Sequence, residues 1–167
     1  MKKILSLLGT ITLIGTSTTS LVACNTQCNE DELEQLKIEN KINTTNQEIK
    51  DNLEWIAPQE KPFNEVDNKY YFVVWHSDKN NDWRIAKFKN NSSVTKIDNF
   101  NNYVLEKTDL GMGRDLYITK ESGFIKYLSV WKNDDGTYFK AVYRWNNEEQ
   151  KLPNLDIDKD GNVKVNT

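Results

Sequence analysis

Residues 124–145 read FIKYLSVWKNDDGTYFKAVYRW. Two runs rich in aromatic and β-branched residues flank Asn133-Asp134-Asp135-Gly136, a cluster of the residue types that tight turns favour. The pattern predicts an antiparallel hairpin. Closing Asn133 on Thr137 sets Trp131 opposite Phe139, Ser129 opposite Ala141, Tyr127 opposite Tyr143 and Ile125 opposite Trp145. One face then carries the aromatic residues and the other carries Lys126, Lys132, Lys140 and Arg144. A slip of one residue would exchange the faces, so the pattern specifies its own register. Tyr117 and Ile118, ahead of the turn residues Lys120-Glu121-Ser122-Gly123, predict a third strand beside it.

A gapless shift of 56 residues lays KYYFVVWHSDKNNDWRIAKFKNN (69–91) over IKYLSVWKNDDGTYFKAVYRWNN (125–147). Six positions are identical: Tyr71/Tyr127, Val74/Val130, Trp75/Trp131, Asp78/Asp134, Asn90/Asn146 and Asn91/Asn147. The repeat predicts a second hairpin with Trp75 facing Trp83. Seventeen of the 18 aromatic residues fall between Phe63 and Trp145, which places a β domain at 62–150. Strands are predicted at 69–76, 82–88, 94–97, 103–106, 115–120, 124–132 and 137–146. The expected fold is mainly β, an antiparallel meander or a small sandwich of two hairpin repeats, preceded by a short helical stalk. A period of 56 also approaches that of a propeller blade, but two blades close no ring without further chains.

The flanks differ in kind. Lys2 and Lys3 precede an apolar run from Ile4 to Ile14, about 11 residues where a spanning helix needs about 20. With the small polar residues Thr16 to Ser20 this reads as a signal peptide over 1–23. Leu21-Val22-Ala23-Cys24 resembles the lipobox of bacterial lipoproteins. The resemblance implies cleavage between Ala23 and Cys24 and a diacylglyceryl group on the Cys24 sulfur. Two acyl chains meet the two-signal requirement for stable anchoring. The mature chain keeps 144 residues, with 20 Lys and Arg against 25 Asp and Glu, and Cys28 reads as an incidental leftover thiol.

Residues 24–61 read as a lipidated N-terminus followed by a polar helical spacer. Asn29 ahead of Glu30-Asp31-Glu32 predicts a helix over 30–41, and Thr45-Asn46-Gln47-Glu48 has capping-box spacing for a second over 46–55. Ile38, Ile42, Ile49 and Ile56 recur at coiled-coil spacing, interrupted by the polar Thr45 and Asn52. Residues 151–167 read as a polar tail. Asp156, Asp158 and Asp160 ahead of Gly161 resemble the start of a calcium loop, but position twelve is Thr167 rather than Glu. A polar turn is the simpler reading.

Lys and Arg total 22 against 25 Asp and Glu, a net charge of −3, which argues against a nucleic-acid partner. One histidine, His76, stands at a strand end without a nucleophile motif beside it. Gly111-Met112-Gly113-Arg114-Asp115 lacks a third glycine and a following helix, so it reads as a loop rather than a phosphate cradle. No catalytic residue, enzyme activity or cofactor is expected. Trp75, Trp83, Trp131 and Trp145 are the candidates for stacking on a sugar or other small ligand, although pairing onto one face favours their burial.

The leader MKKILSLLGTITLIGTSTTSLVAC, the 19 Lys against 3 Arg, the 21 Asn, and the core segments VVWHSDKNNDWRIAKF and KYLSVWKNDDGTYFKAVYRW together resemble the small surface lipoproteins of spiroplasmas and related wall-less bacteria. That family has no established biochemical activity. The resemblance implies a palmitate-bearing protein on the extracellular face of the cell membrane, non-catalytic, shielding the surface or binding a host protein or glycan. The alternative is a sugar- or small-ligand-binding module with exposed aromatics.

Overall fold

The computed structural model describes residues 27–122 and 124–166. The leader, the Ala23–Cys24 junction and Cys24 itself lie outside them. Helix α1 spans Glu30–Glu39. The Asn29 side chain accepts from the Glu32 N–H at 2.9 Å, and the Glu32 carboxylate accepts from the Asn29 N–H at 3.0 Å. Helix α2, Gln47–Asn52, is capped by Asn46 rather than Thr45, the Asn46 side chain accepting from the Ile49 N–H at 3.2 Å. It stops before the predicted end because Leu53–Trp55 form a short strand, β1.

The other strands are β2 (Tyr70–Trp75), β3 (Arg84–Lys89), β4 (Thr95–Phe100), β5 (Tyr103–Asp109), β6 (Arg114–Ser122), β7 (Phe124–Val130), β8 (Phe139–Trp145), β9 (Leu155–Ile157) and β10 (Val163–Val165). The protein is mainly β and its sheets are antiparallel. The first sheet has the order β1-β8-β2-β3, the second is the meander β4-β5-β6-β7, and β9 and β10 form a separate two-stranded ribbon.

The two four-stranded sheets share one core. The first contributes Tyr71, Val73, Trp75, Ala86, Phe88, Phe139 and Val142, and the second contributes Leu105, Leu116 and Ile118. The fully buried Trp75 donates its indole N–H to Asp98 of β4 at 3.1 Å, and Arg84 of β3 donates to the same carboxylate at 3.1 Å. One acid thus ties the sheets together across the core. A bulge between Lys96 and Asp98 accompanies this contact.

The predicted hairpin 124–145 does not form. β7 pairs with β6, setting Val130 against Tyr117 and Tyr127 against Thr119. β8 lies in the other sheet between β1 and β2, with Tyr143 beside both Trp55 and Phe72. The repeat therefore yields one hairpin, β2–β3, and one split pair. Within β2–β3, Trp75 pairs with Arg84 rather than facing Trp83. Two physical causes stand out. The residues Trp131–Asn133 form a 3-10 turn, and the buried Asp134 carboxylate then accepts from Ser129 Oγ at 2.7 Å and from the N–H groups of Gly136, Tyr138 and Phe139 at 3.0, 3.1 and 3.0 Å. In addition, β8 sends Phe139 and Val142 into the inter-sheet core and Tyr143 and Trp145 to the opposite face. A strand that is apolar on both faces belongs inside a covered sheet, not in a two-stranded hairpin.

What covers that second face is the segment read as a spacer and the segment read as a tail. Ile42, Ile49, Leu53 and Trp55 are buried against Phe72, Tyr143 and Trp145, with Leu33 and Leu36 of α1 packed alongside. Ile56 joins the inter-sheet core and Ile38 is exposed, so the four isoleucines build no coiled-coil seam. Leu155, Val163 and Val165 of the C-terminal ribbon close the same face. Over the described residues, 27–61 is an integral layer rather than a stalk, and 151–166 is docked rather than a free tail.

The Asp134 turn gives a direct test. Asp134→Ala strands a hydroxyl and three N–H donors, and leaving buried donors unpaired costs about 1–3 kcal/mol each. We expect a loss of roughly 3–5 kcal/mol in urea unfolding, near the upper limit for single substitutions. Asp134→Asn, which keeps one acceptor oxygen, should lose less.

Candidate functional site

Three segments remote in sequence meet around one cleft. The first follows the 3-10 turn Pro58–Glu60, where Lys61 takes left-handed backbone with φ 50°. Two residues on, Phe63 is buried in the core 5.0 Å from the Tyr71 ring and 5.6 Å from the Trp131 ring. The second runs from the end of the β5–β6 connection into the start of β6, Met112 to Asp115, and the third is Lys132-Asn133 beside Trp131. Phe63 and Trp131 are thus the apolar contact that brings the first and third segments together. The cleft encloses about 410 Å³ and is also lined by Gln27 and Gln59.

Its charge is one-sided. Arg114 donates to the Asn64 carbonyl at 2.9 Å, and the Lys132 ammonium donates to the Met112 carbonyl. Neither of these, nor Lys61, has an ion pair with another described residue, whereas Lys37, Arg84, Lys89 and Arg144 all do. A guanidinium has five N–H donors and an ammonium three, so most of these donors remain for an anion. The one carboxyl lining the cleft is the buried Asp115, accepting from the Leu116 N–H at 2.8 Å and the Lys132 N–H at 3.1 Å. Burial pushes its pKa up to about 6, against the pull of those two N–H groups and the Lys132 charge. The loop glycines do not point at a ligand. The N–H groups of Gly111 and Gly113 donate to Asp109 at 2.8 and 3.1 Å, consistent with a loop rather than a phosphate cradle.

Another basic residue, not part of the cleft lining, interacts with Arg114. Lys107 of β5 is fully buried and donates to the Asn90 side-chain oxygen. Burial lowers its pKa and the Arg114 charge lowers it further, while Asp67 acts the other way. Asn90 is itself fully engaged, its amide donating to Glu65 O at 3.0 Å and Asp67 at 2.9 Å.

The residues singled out in the sequence do not gather at this cleft. Trp75, Trp131 and Trp145 are buried and offer no face to a ligand. Trp83 is half-buried, stacked on His76 at 4.0 Å, with Lys140 5.7 Å from its ring. On Gly161, φ +77°, an added Cβ would fall 2.6 Å from the same indole. The four tryptophans therefore offer no open platform for stacking on a sugar. His76 is held in place, its two ring nitrogens against the carbonyl oxygens of Asn81, at 3.2 Å, and Thr137.

Asp156, Asp158 and Asp160 do not converge. Asp156 lies 3.7 Å from the Lys164 ammonium, and Asp158 accepts from the N–H groups of Asp160 and Asn162, each at 2.9 Å. Among the described residues no cluster of three metal-ligating side chains occurs. The cleft residues escaped sequence reasoning because Lys61, Arg114 and Lys132 share no spacing. Only the loop 111–115 carried a local signal, and its glycines serve the turn.

No family model, curated protein or solved structure matches the chain.

Asp115 supplies a pH-dependent test. Its proton is held more tightly in the folded state than in the unfolded chain, so its influence on stability declines as pH rises from its ordinary 3.8 through about 6. Asp115→Asn removes that ionisation. The stability of the variant relative to the wild type should rise by about 2 kcal/mol between pH 4.5 and 7.5 in urea titrations. An unchanged difference would contradict the burial of an ionising carboxyl here.

Proposed function

We propose that the chain is a lipoprotein on the extracellular face of the cell membrane of a wall-less bacterium, non-catalytic, whose β domain shields the surface or binds a host or partner molecule. The observation that carries the reading is Leu21-Val22-Ala23-Cys24 placed directly after an apolar run of signal-peptide length. The anchor is the diacylglyceryl group on Cys24, with a further acyl chain such as palmitate. Among the described residues no helix is long and apolar enough to cross a membrane. The folded layer begins at Cys28, whose N–H donates to the Gln59 side-chain oxygen at 2.8 Å while the Gln59 amide donates to the Cys28 carbonyl at 3.1 Å. An anchor at Cys24 would thus hold the domain close to the bilayer. The engagement of both His76 ring nitrogens favours a non-catalytic role for the single histidine.

Cys24→Ser should yield an uncleaved or mislocalised precursor without lipid label, read by palmitate labelling and intact mass. Two results overturn the reading. One is a variant still cut after Ala23 and still membrane-bound. The other is a wild-type mature chain with no lipid and both cysteines in a disulfide, since a thioether sulfur cannot also form one.

A further inference from the structure

We infer that the cleft of Lys61, Arg114 and Lys132 receives a phosphate dianion, free or as the monoester of a small polar molecule. The site belongs to the folded domain and holds whether or not the chain carries an anchor. Three observations carry it.

The first is preorganisation. Arg114, at the start of β6, donates to the Asn64 carbonyl at 2.9 Å, and the Lys132 ammonium donates to the Met112 carbonyl. Each bond runs from one of the three segments to another, so both cations are held in place before a ligand arrives. Less freedom is then lost on binding. A guanidinium and an ammonium each have further N–H donors, and these meet no acceptor among the described residues. The Lys61 ammonium lines the same cleft and has no ion pair with another described residue.

The second is charge. Lys61, Arg114 and Lys132 line the cleft against one carboxyl, Asp115, whose oxygens already accept from the Leu116 and Lys132 N–H groups. With Asp115 ionised, above about pH 6, three positive charges against one negative leave a surplus of two. The other acids of these segments are engaged elsewhere. Glu60 pairs with Lys37 at 2.7 Å, and Asp109 accepts from the N–H groups of Gly111 and Gly113. Glu30, Asp31 and Glu32 stand in the first turn of α1, outside the lining, at the positive end of the helix dipole. Lys107 adds to the surplus from within the fold. It is fully buried, its hydrogen-bond acceptor is the neutral Asn90 side-chain oxygen, and its charge and that of Arg114 repel each other. Asp67, which accepts from Tyr71, Asn90 and the Lys69 N–H, offsets it in part. An anion on Arg114 relieves that repulsion.

The third is chemistry. A phosphate monoester carries about two negative charges near neutral pH and several acceptor oxygens, which matches the surplus, whereas a carboxylate carries one. The cleft volume of about 410 Å³ is that of a small-molecule site. The side-chain amides of Gln27, Asn64 and Asn133 line it and can serve ligand hydroxyls. Phe63, the aromatic residue of the lining, is 1% exposed and gives no stacking face, so the cleft suits a hydroxylated molecule rather than a nucleobase.

The test is isothermal titration of the full chain, purified in neutral detergent and held above pH 7, with inorganic phosphate, glucose 6-phosphate, glucuronate and glucose. Inorganic phosphate should bind, and glucuronate should bind about ten-fold more weakly, the worth of one charged hydrogen bond. Glucose should not bind. Tighter binding of glucose 6-phosphate than of phosphate assigns the cleft to a phosphorylated molecule, and equal or weaker binding assigns it to free phosphate. Both results agree with a dianion site. Lys61→Gln and Lys132→Gln, at exposed positions that the fold does not depend on, should each weaken phosphate binding by about ten-fold. Lys96→Gln, at the exposed cation that pairs with Glu121, should leave it unchanged. Three results overturn the inference. One is no binding of either phosphate at about 10 mM, weaker than any specific site. Another is glucuronate bound as tightly as phosphate. The last is phosphate affinity that is unchanged in both cleft variants or lowered equally by Lys96→Gln. A chain found without lipid on Cys24 would overturn the anchor and leave these titrations as they are.

Discussion

The carboxylate of Asp134 is the constraint on which the rest of the architecture depends. It gathers one hydroxyl and three backbone N–H donors at the point where the chain leaves β7. Those bonds replace the ladder that a hairpin would have supplied, so β8 is free to cross to the other sheet. There it takes an interior place between β1 and β2. Without β8 in that place, β1 would have no partner strand, and α1 and α2 would lose Tyr143 and Trp145 as their floor. A single buried acid thus decides whether 124–145 is a local hairpin or the link between two sheets.

Covering both faces of the first sheet explains its sequence. β2 reads YYFVVW with no polar residue, because Tyr71, Val73 and Trp75 face the inter-sheet core while Phe72 faces the N-terminal layer. That layer is also clamped electrostatically. Glu54 of β1 pairs with Lys37 of α1 and Arg144 of β8, both at 2.6 Å, and Lys37 reaches Glu60 at 2.7 Å. Burial pushes the Glu54 pKa up, but hydrogen bonds from Lys37, Asn146 and Arg144 outweigh it and hold it at about 2. A carboxyl whose folded pKa is depressed contributes its stability above its ordinary 4.5 and loses it as pH falls toward 2. The clamp and Asp115 therefore respond to acid in opposite senses.

Much of the strand content was legible, because alternation and turn clusters are local signals. Each predicted strand from 69–76 to 137–146 has a counterpart within a few residues. Strand pairing was not legible, because it depends on what covers each face. The apolar residues of 27–61 are too sparse to announce a core layer: Ile42, Ile49, Leu53 and Trp55 stand among Asn, Gln, Lys and Glu. Only the second apolar face of β2 and β8 gives them a partner. The same blindness hid β9 and β10, whose three-residue strands contribute Leu155, Val163 and Val165 to that face. The cleft was illegible for a related reason. Lys61, Arg114 and Lys132 become neighbours only after Phe63 and Trp131 have packed.

Integration of the N-terminal layer changes what a lipid anchor can do. On a polar stalk, the domain would sample many orientations and any of its faces could meet the outside. Here the backbone at Cys28 is fixed to Gln59, α1 is clamped to β1 and β8, and the reach from Cys24 to the folded layer is only a few residues. An anchored domain of this kind has few ways to stand on a bilayer. Restricting orientation lowers the entropy still to be lost when a partner engages the faces turned outward. Such an anchor would also keep the domain close to the lipid surface, where a layer of such domains would cover it. Both roles proposed for the protein, shielding and partner binding, would draw on the same short and rigid attachment.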